Sequence, residues 1–339
     1  MARNVLQNIQ IEKDSNSYIN CLHAVLSNCG LFEGPKYLLS GMTGMAFKFT
    51  IEKGISPRSV HAYGPWVRDN WKAVDNLGIY NSAQADRCRH RTFPLIQQKA
   101  IENIKMSIDK GIGVLYWCPP FGVIHGYDDE QRIFYYLEGD DFFQRGGIAT
   151  REEKICLFDN ICLNPSLIWF YQTFDEKIKK ELKDIYLDSL NDAMVVWNQP
   201  PNSHSASGQS AYPYLINELE TNEFHLEGAA YTLDTYATSK FEIYQYMNEV
   251  KVLYPELSQS SELFSVVHSI YKEIQKIIRY ENRHTRIEKH QCKPINGMLK
   301  EAEIFENAAM KEIERFLNNQ PADRQIDLFR TNWLQGDDR

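Results

Sequence analysis

Three short apolar runs lie almost end to end between residues 113 and 137, and they constrain the fold more than any other stretch. Gly113–Trp117 (GVLYW) reads as a strand, and Pro119-Pro120 breaks it. Phe121–Tyr127 (FGVIHGY) is a second strand, Asp128–Gln131 a turn, and Arg132–Leu137 (RIFYYL) the return strand. Runs of this length, rich in aromatic and β-branched residues and bounded by turn formers, pair with one another. Leu167–Tyr171 and Arg58–Tyr63 read as further strands. Beyond Tyr171 the pattern changes. Asp175–Trp197, Tyr214–Tyr254, Ser260–His290 and Ile295–Asn318 carry helical composition, with Pro255 and Pro294 between them. The polar stretch Asn198–Pro213 (NQPPNSHSASGQSAYP) reads as a long loop, of a length suited to a lid. A cluster of strands followed by a run of helices predicts an α+β protein in two units, 1–172 mixed and 173–339 a helical bundle.

Upstream of the strands, Trp66–Gly78 and Pro94–Lys110 have apolar residues at helical spacing, and Pro94 suits a first turn. Polar residues of N-cap type (Asp14, Ser15, Asn16, Ser17, Asn20) crowd the entry to the stretch Asn16–Ile51, which continues as an amphipathic helix to Asn28, and Gly30 stops it. A short helix at Pro35–Ser40 follows, and Gly41 and Gly44 break it. Cys21 is thereby expected at a helix start, where the positive end of the helix dipole favours a thiolate. The competing role is that of a small buried apolar residue, the commonest fate of a free cysteine.

The chain has 339 residues, 43 % of them hydrophobic and 24 % charged, and a formal net charge of −8. That balance supports a packed core and gives no electrostatic case for nucleic acid as the main partner, despite basic patches at Arg87–Arg91 and Arg279–His290. No apolar run approaches the roughly 18 residues that span a membrane. The N-terminus lacks the apolar core of a signal peptide. The seven cysteines include no CxxC pair, and Cys156 and Cys162 have no histidines beside them, so no metal or cofactor is expected. These features predict a cytoplasmic protein with free thiols.

A cysteine nucleophile needs a base within hydrogen-bond reach and a third group to orient that base. The hairpin GVIHGYDDEQRIFYYLEGDD is where to look: His125 lies on one strand, Asp128 and Asp129 in the turn, and Glu138, Asp140 and Asp141 after the return strand. The acids are equally read as solvated turn residues. His23 is two residues from Cys21 and so points elsewhere on the same helix. His61, His225, His284 and His290 are weaker candidates. GMTGM (Gly41–Met45) lacks the spacing of a phosphate loop and reads as a tight turn or a close backbone approach.

Cys21-Leu-His-Ala-Val-Leu, Asn28-Cys-Gly and Leu38-Leu-Ser-Gly-Met-Thr-Gly-Met-Ala-Phe, with Gly126-Tyr-Asp-Asp-Glu later, resemble the butirosin biosynthesis protein H family over about the first 170 residues. The resemblance implies a papain-like, or bacteriocin-processing-peptidase-like, fold in the N-terminal half. It also implies an acyltransferase that moves an aminoacyl group from a carrier-protein thioester to an amine, with Cys21 as nucleophile. Relatives of that fold place a histidine about six residues before the Gly-Tyr and an acid on the following strand. Here that position is Pro120, the nearest histidine is His125, and Glu138 comes closest to the acid, with Asp140 as its alternative. The expected partners are an acyl carrier protein and a small amine. The rival expectations are a cysteine peptidase or amidase on the same scaffold, and a binding or scaffolding protein that has lost catalysis.

Overall fold

The computed structural model describes residues 2–63, 66–87, 91–117, 120–140, 154–161, 168–221, 223–279 and 286–320. Pro119, Asp141, Cys162, Leu167 and His284 lie outside the described residues, as do parts of both basic patches. In chain order the elements begin with β1 (Arg3–Val5), α1 (Ser17–Asn28), α2 (Lys36–Met42), β2 (Thr50–Glu52), α3 (Trp66–Asp75) and β3 (Ile79–Arg87). They continue with α4 (Phe93–Asp109), β4 (Val114–Trp117), β5 (Phe121–Asp128), β6 (Ile133–Glu138), β7 (Lys154–Leu157) and β8 (Ile168–Lys177). The remainder comprises α5 (Leu182–Trp197), β9 (Ser205–Ser207), α6 (Ala211–Thr221), α7 (Leu226–Leu253), α8 (Ser258–Arg279) and α9 (Lys289–Asn318). The protein is α+β, as the pattern of elements predicts. No described helix is long and apolar enough to cross a membrane.

The chain forms two compact units. One comprises Met1–Leu39 and Pro65–Lys180, the other Ser40–Gly64 and Glu181–Arg339. The boundary expected at residue 172 falls inside β8.

The first unit is built on an antiparallel sheet in the order β3-β8-β4-β5-β6-β7. β1 pairs with β5 from Gly126 to Asp128, beyond the stretch that β4 covers, so two short strands share one edge of β5. The register of β5 against β6 shifts between Ile124 and Gly126, which makes His125 the extra residue of a bulge. One face of the sheet packs on α4, through Ala100, Ile104 and Ile108 against Val114, Tyr116, Ile124, Phe134 and Tyr136.

The other face receives α1. Tyr18 meets the Phe121 ring edge-on at 5.3 Å, and Gly113 leaves room for Ile9, Val25 and Val123 to converge. Asn16 caps α1 by accepting the Ile19 N–H at 3.0 Å, and Gly30, at φ +74, ends it. Ile19, Leu22, Val25 and Leu26 are fully buried, each contributing about 1.5–3 kcal/mol.

The second unit is mainly helical, with α7, α8 and α9 packed in sequence. Gly41 lies against the Tyr246 ring, where a Cβ would come within 2.1 Å, and Gly44 has φ +70, so this glycine segment is both a close approach and a tight turn. Its centre holds a buried ion pair between Lys240 and Glu306 (2.6 Å), with the Tyr212 hydroxyl donating to the other Glu306 oxygen at 2.5 Å.

Several elements differ from the sequence reading. Arg58–Tyr63 is not a strand. It contains a 3-10 turn at Ser59–His61, closed by the His61 N–H donating to the Arg58 carbonyl and the Ala62 N–H to that of Ser59. The loop expected over Asn198–Pro213 holds β9, which pairs with β2, and α6 already begins at Ala211. Asp175–Lys177, read as helix, extends β8 because Ile79 pairs with Lys177. The helix expected over Tyr214–Tyr254 is two helices. His225 starts the second by accepting the Gly228 N–H on Nδ1 at 2.9 Å.

Candidate functional site

Cys21 is the fifth residue of α1, one turn inside the helix rather than at its first residue. An N–H at that depth belongs to the helix's own i→i−4 ladder and is not available to an oxyanion. The benefit of the dipole also fades within the first turn. The thiol is wholly buried. It faces Gly139, just after β6: a Cβ built on Gly139 would lie 2.3 Å from Cys21 Sγ, 2.6 Å from the Phe121 carbonyl oxygen and 2.8 Å from that of Ser17. The thiol therefore touches main chain where the start of β5, the end of β6 and α1 meet.

Hydrogen bonds fix that junction. The Gly139 N–H donates to the Phe121 carbonyl at 2.8 Å, and the Phe121 N–H donates to Ser17 Oγ at 3.2 Å. Asn20 ties the pieces together. Its Nδ2 donates to the carbonyls of Gly139 and Ser15, both at 2.9 Å, and its Oδ1 accepts from the Ser15 N–H at 3.0 Å and from Lys36 Nζ at 3.1 Å. Lys36 also donates to the Glu12 carbonyl at 2.8 Å and pairs with Asp14.

Burial pushes the Cys21 thiol pKa well above the ordinary value, because a thiolate there loses its hydration. Asp140 pushes it in the same direction by like-charge repulsion, while Lys13 and Lys36 oppose the shift. Asp140 is itself buried, with 1 % exposure. The thiol is held protonated in this arrangement, the opposite of what the helix start alone predicts.

The four candidate residues separate. Cys21 and Asp140 are brought together. Glu138 pairs with Lys154 across β6 and β7. His125 stands at the bulge, and its carbonyl accepts the Leu6 N–H at 2.8 Å. From Phe121, which adjoins the thiol, to His125 is four residues of strand, about 13 Å along β5. Position 120, immediately before Phe121, is buried Pro120, which has no proton to exchange.

No protein-family model matches the chain, and no curated protein matches it.

Asn20, Gly139, Lys13 and Lys36 had no part in the sequence reading of the site. Asn20 was visible there only as a polar residue near a helix start, and its partners Lys36 and Gly139 are remote in sequence. A groove of about 570 Å³ lies on the α4 side, lined by Gln97, Ile101, Lys105, Arg132 and Phe158 among others, and Cys21 is not part of its wall. Among the described residues, no group of three or more His, Cys, Asp or Glu side chains is placed to hold a metal ion.

Proposed function

We propose that this chain is a cysteine-dependent acyltransferase on a papain-like scaffold, of the type its resemblance to the butirosin biosynthesis protein H family implies. It accepts an acyl group from a carrier-protein thioester on Cys21 and passes it to a small amine, in a cytoplasmic setting. The observation that supports this reading is the placement of Cys21 one turn into α1, against Gly139 where the helix adjoins the start of β5 and the end of β6.

Acyl transfer fits a site with Pro120 beside Phe121 better than peptide hydrolysis does. In the first step Cys21 Sγ attacks the thioester carbonyl, the new S–C bond forms as the carrier's C–S bond breaks, and the proton that the Cys21 thiol gives up ends on the departing carrier thiol. In the second step the amine nitrogen attacks the acyl-Cys21 carbonyl, the C–S bond breaks, and the proton lost by the amine returns Cys21 to its thiol form. Cleaving a peptide bond instead ejects an amine, which needs a general acid at the place Pro120 occupies. Lys13 and Lys36 oppose the upward push that burial and Asp140 give the Cys21 thiol.

The test is to incubate the full chain with an aminoacyl-loaded carrier protein and a small primary amine, and to follow amide product. Transfer that survives Cys21→Ala overturns the reading. A second reading, a binding protein for a carrier domain without catalysis, is favoured by Pro120 and by the buried, protonated thiol. It predicts carrier binding with neither acyl-Cys21 nor amide.

A further inference from the structure

The sheet of the first unit ends differently on its two sides. On one side the edge strand is β7, four residues long and carrying Lys154, and short, charged edges of this kind resist pairing with another chain. On the other side it is β3, nine residues long, and among the described residues β3 pairs with β8 alone. No main-chain group outside β8 among the described residues bonds the main chain from Tyr80 to Ala85, so this edge offers a row of unused N–H and C=O groups. From Ile79 to Ala85 (IYNSAQA) it has no charge and no proline. Its side chains alternate. Asn81 turns to α3, where its Nδ2 donates to the Trp71 carbonyl at 3.1 Å. Gln84 turns to the α4 side, where its Oε1 accepts the Tyr171 hydroxyl at 2.8 Å. Tyr80 and Ser82 share the Gln84 side and are exposed, Tyr80 by 69 %.

We propose that β3 is a self-association edge: two copies of this chain pair β3 with β3, antiparallel about Ser82, and join their sheets into one. A second copy fits this edge for three reasons. The sheet is antiparallel throughout, and a two-fold axis turns one strand into its own antiparallel neighbour, which closes the contact at a dimer. The chain carries a net charge of −8, so two copies repel, and an uncharged strip is where they can meet. About Ser82 the side chains also match. Ser82 faces Ser82 of the second copy, and each exposed Tyr80 is covered by Gln84 of the second copy. On the other face Asn81 meets Ala83 and Ile79 meets Ala85, so no two bulky side chains and no like charges are opposed. The seam has seven paired residues, roughly 23 Å, and buries on the order of 1,000 Å², the lower limit for a specific contact. The dimer is therefore reversible, and its test does not depend on the chemistry of Cys21.

Sedimentation velocity of the full chain, from about 1 to about 200 μM, tests this, and the expected result is a reversible monomer–dimer equilibrium with a Kd on the order of 10 μM. Ser82 is exposed, so a charged side chain there leaves the fold intact. Ser82→Lys sets two ammonium groups against each other on the axis and is expected to weaken the dimer roughly tenfold or more. Ser82→Glu does the same with two carboxylates. An equimolar mixture of the two variants is expected to associate at least as tightly as wild type, because position 82 facing itself then pairs unlike charges. Val252→Lys, at an exposed apolar residue of the second unit, is expected to leave the equilibrium unchanged. A chain that stays monomeric at about 200 μM, a dimer that Ser82→Lys leaves intact, or a mixture that associates no better than its components overturns the proposal.

Discussion

Gly139→Ala is the most informative single substitution at the junction. Gly139 needs to be glycine for reasons of space. A methyl group there would sit 2.3 Å from Cys21 Sγ, 2.6 Å from the Phe121 carbonyl oxygen and 2.8 Å from the Ser17 carbonyl oxygen. Two of the three obstacles are backbone, in β5 and α1, so they give way only if those elements move apart. Overpacking of this kind costs about 1–3 kcal/mol. Chemical denaturation of wild type, Gly139→Ala, Cys21→Ala and the double variant separates the three contacts. Cys21→Ala removes the sulfur and relieves the closest clash, so Gly139→Ala is expected to cost less in that background. The two carbonyls remain, so part of the cost persists. The expected coupling between the positions is at least about 0.5 kcal/mol, as for residues in direct contact. Gly139→Ala is also expected to speed Cys21 alkylation, because the displaced turn uncovers the thiol. Costs that add to within a few tenths of a kcal/mol, with Cys21 as inert as in wild type, would refute the contact on which the site is built.

Two further predictions follow from buried charge. The Cys21 thiol stays protonated in the folded state above the pH at which an unfolded thiol ionises, about 8.5, so the folded chain holds more protons there than the unfolded one. Stability is therefore expected to fall as pH rises past about 8.5, by up to about 1.4 kcal/mol per pH unit from this group, and Cys21→Ala removes that share in denaturation measured from pH 7 to 10. In the second unit, Lys240 and Glu306 are 1 % and 3 % exposed, and Lys240 Nζ lies 4.4 Å from the Phe49 ring centre. Lys240→Met leaves Glu306 buried without its cation and is expected to cost about 3–5 kcal/mol, while Lys240→Met with Glu306→Leu recovers most of that in the same denaturation assay.

The first unit was legible where burial is continuous along the chain. β4, β5 and β6 follow their apolar runs, because strands covered on both faces by α1 and α4 need no alternation. β3 was not read as a strand, since IYNSAQADR offers little apolar pattern and is defined by pairing with β8 far along the chain. β2 and β9 are three residues each and more than a hundred residues apart, too short for any local signal.

At the site, the helix that carries Cys21 was legible, although the thiol sits one turn inside it. The choice between Glu138 and Asp140 was not, because residues two apart share a face for as long as the strand continues. β6 ends at Glu138, which pairs with Lys154, while Asp140 lies beyond the strand and is buried. The bulge at His125 depends on the register of β5 against β6, with β1 taking over from β4 at the same point, and no feature of GVIHGY alone specifies it. The protonated state of Cys21 follows from Gly139 and Asp140, which the fold brings to the helix from more than a hundred residues away.

The most direct test of the account is the intact mass of the chain after incubation with an aminoacyl-loaded carrier protein, in wild type and in Cys21→Ala. The account predicts a mass increase of one acyl group, mapped to Cys21 in wild type and absent in Cys21→Ala. No adduct in wild type, or an adduct that persists in Cys21→Ala, would contradict it.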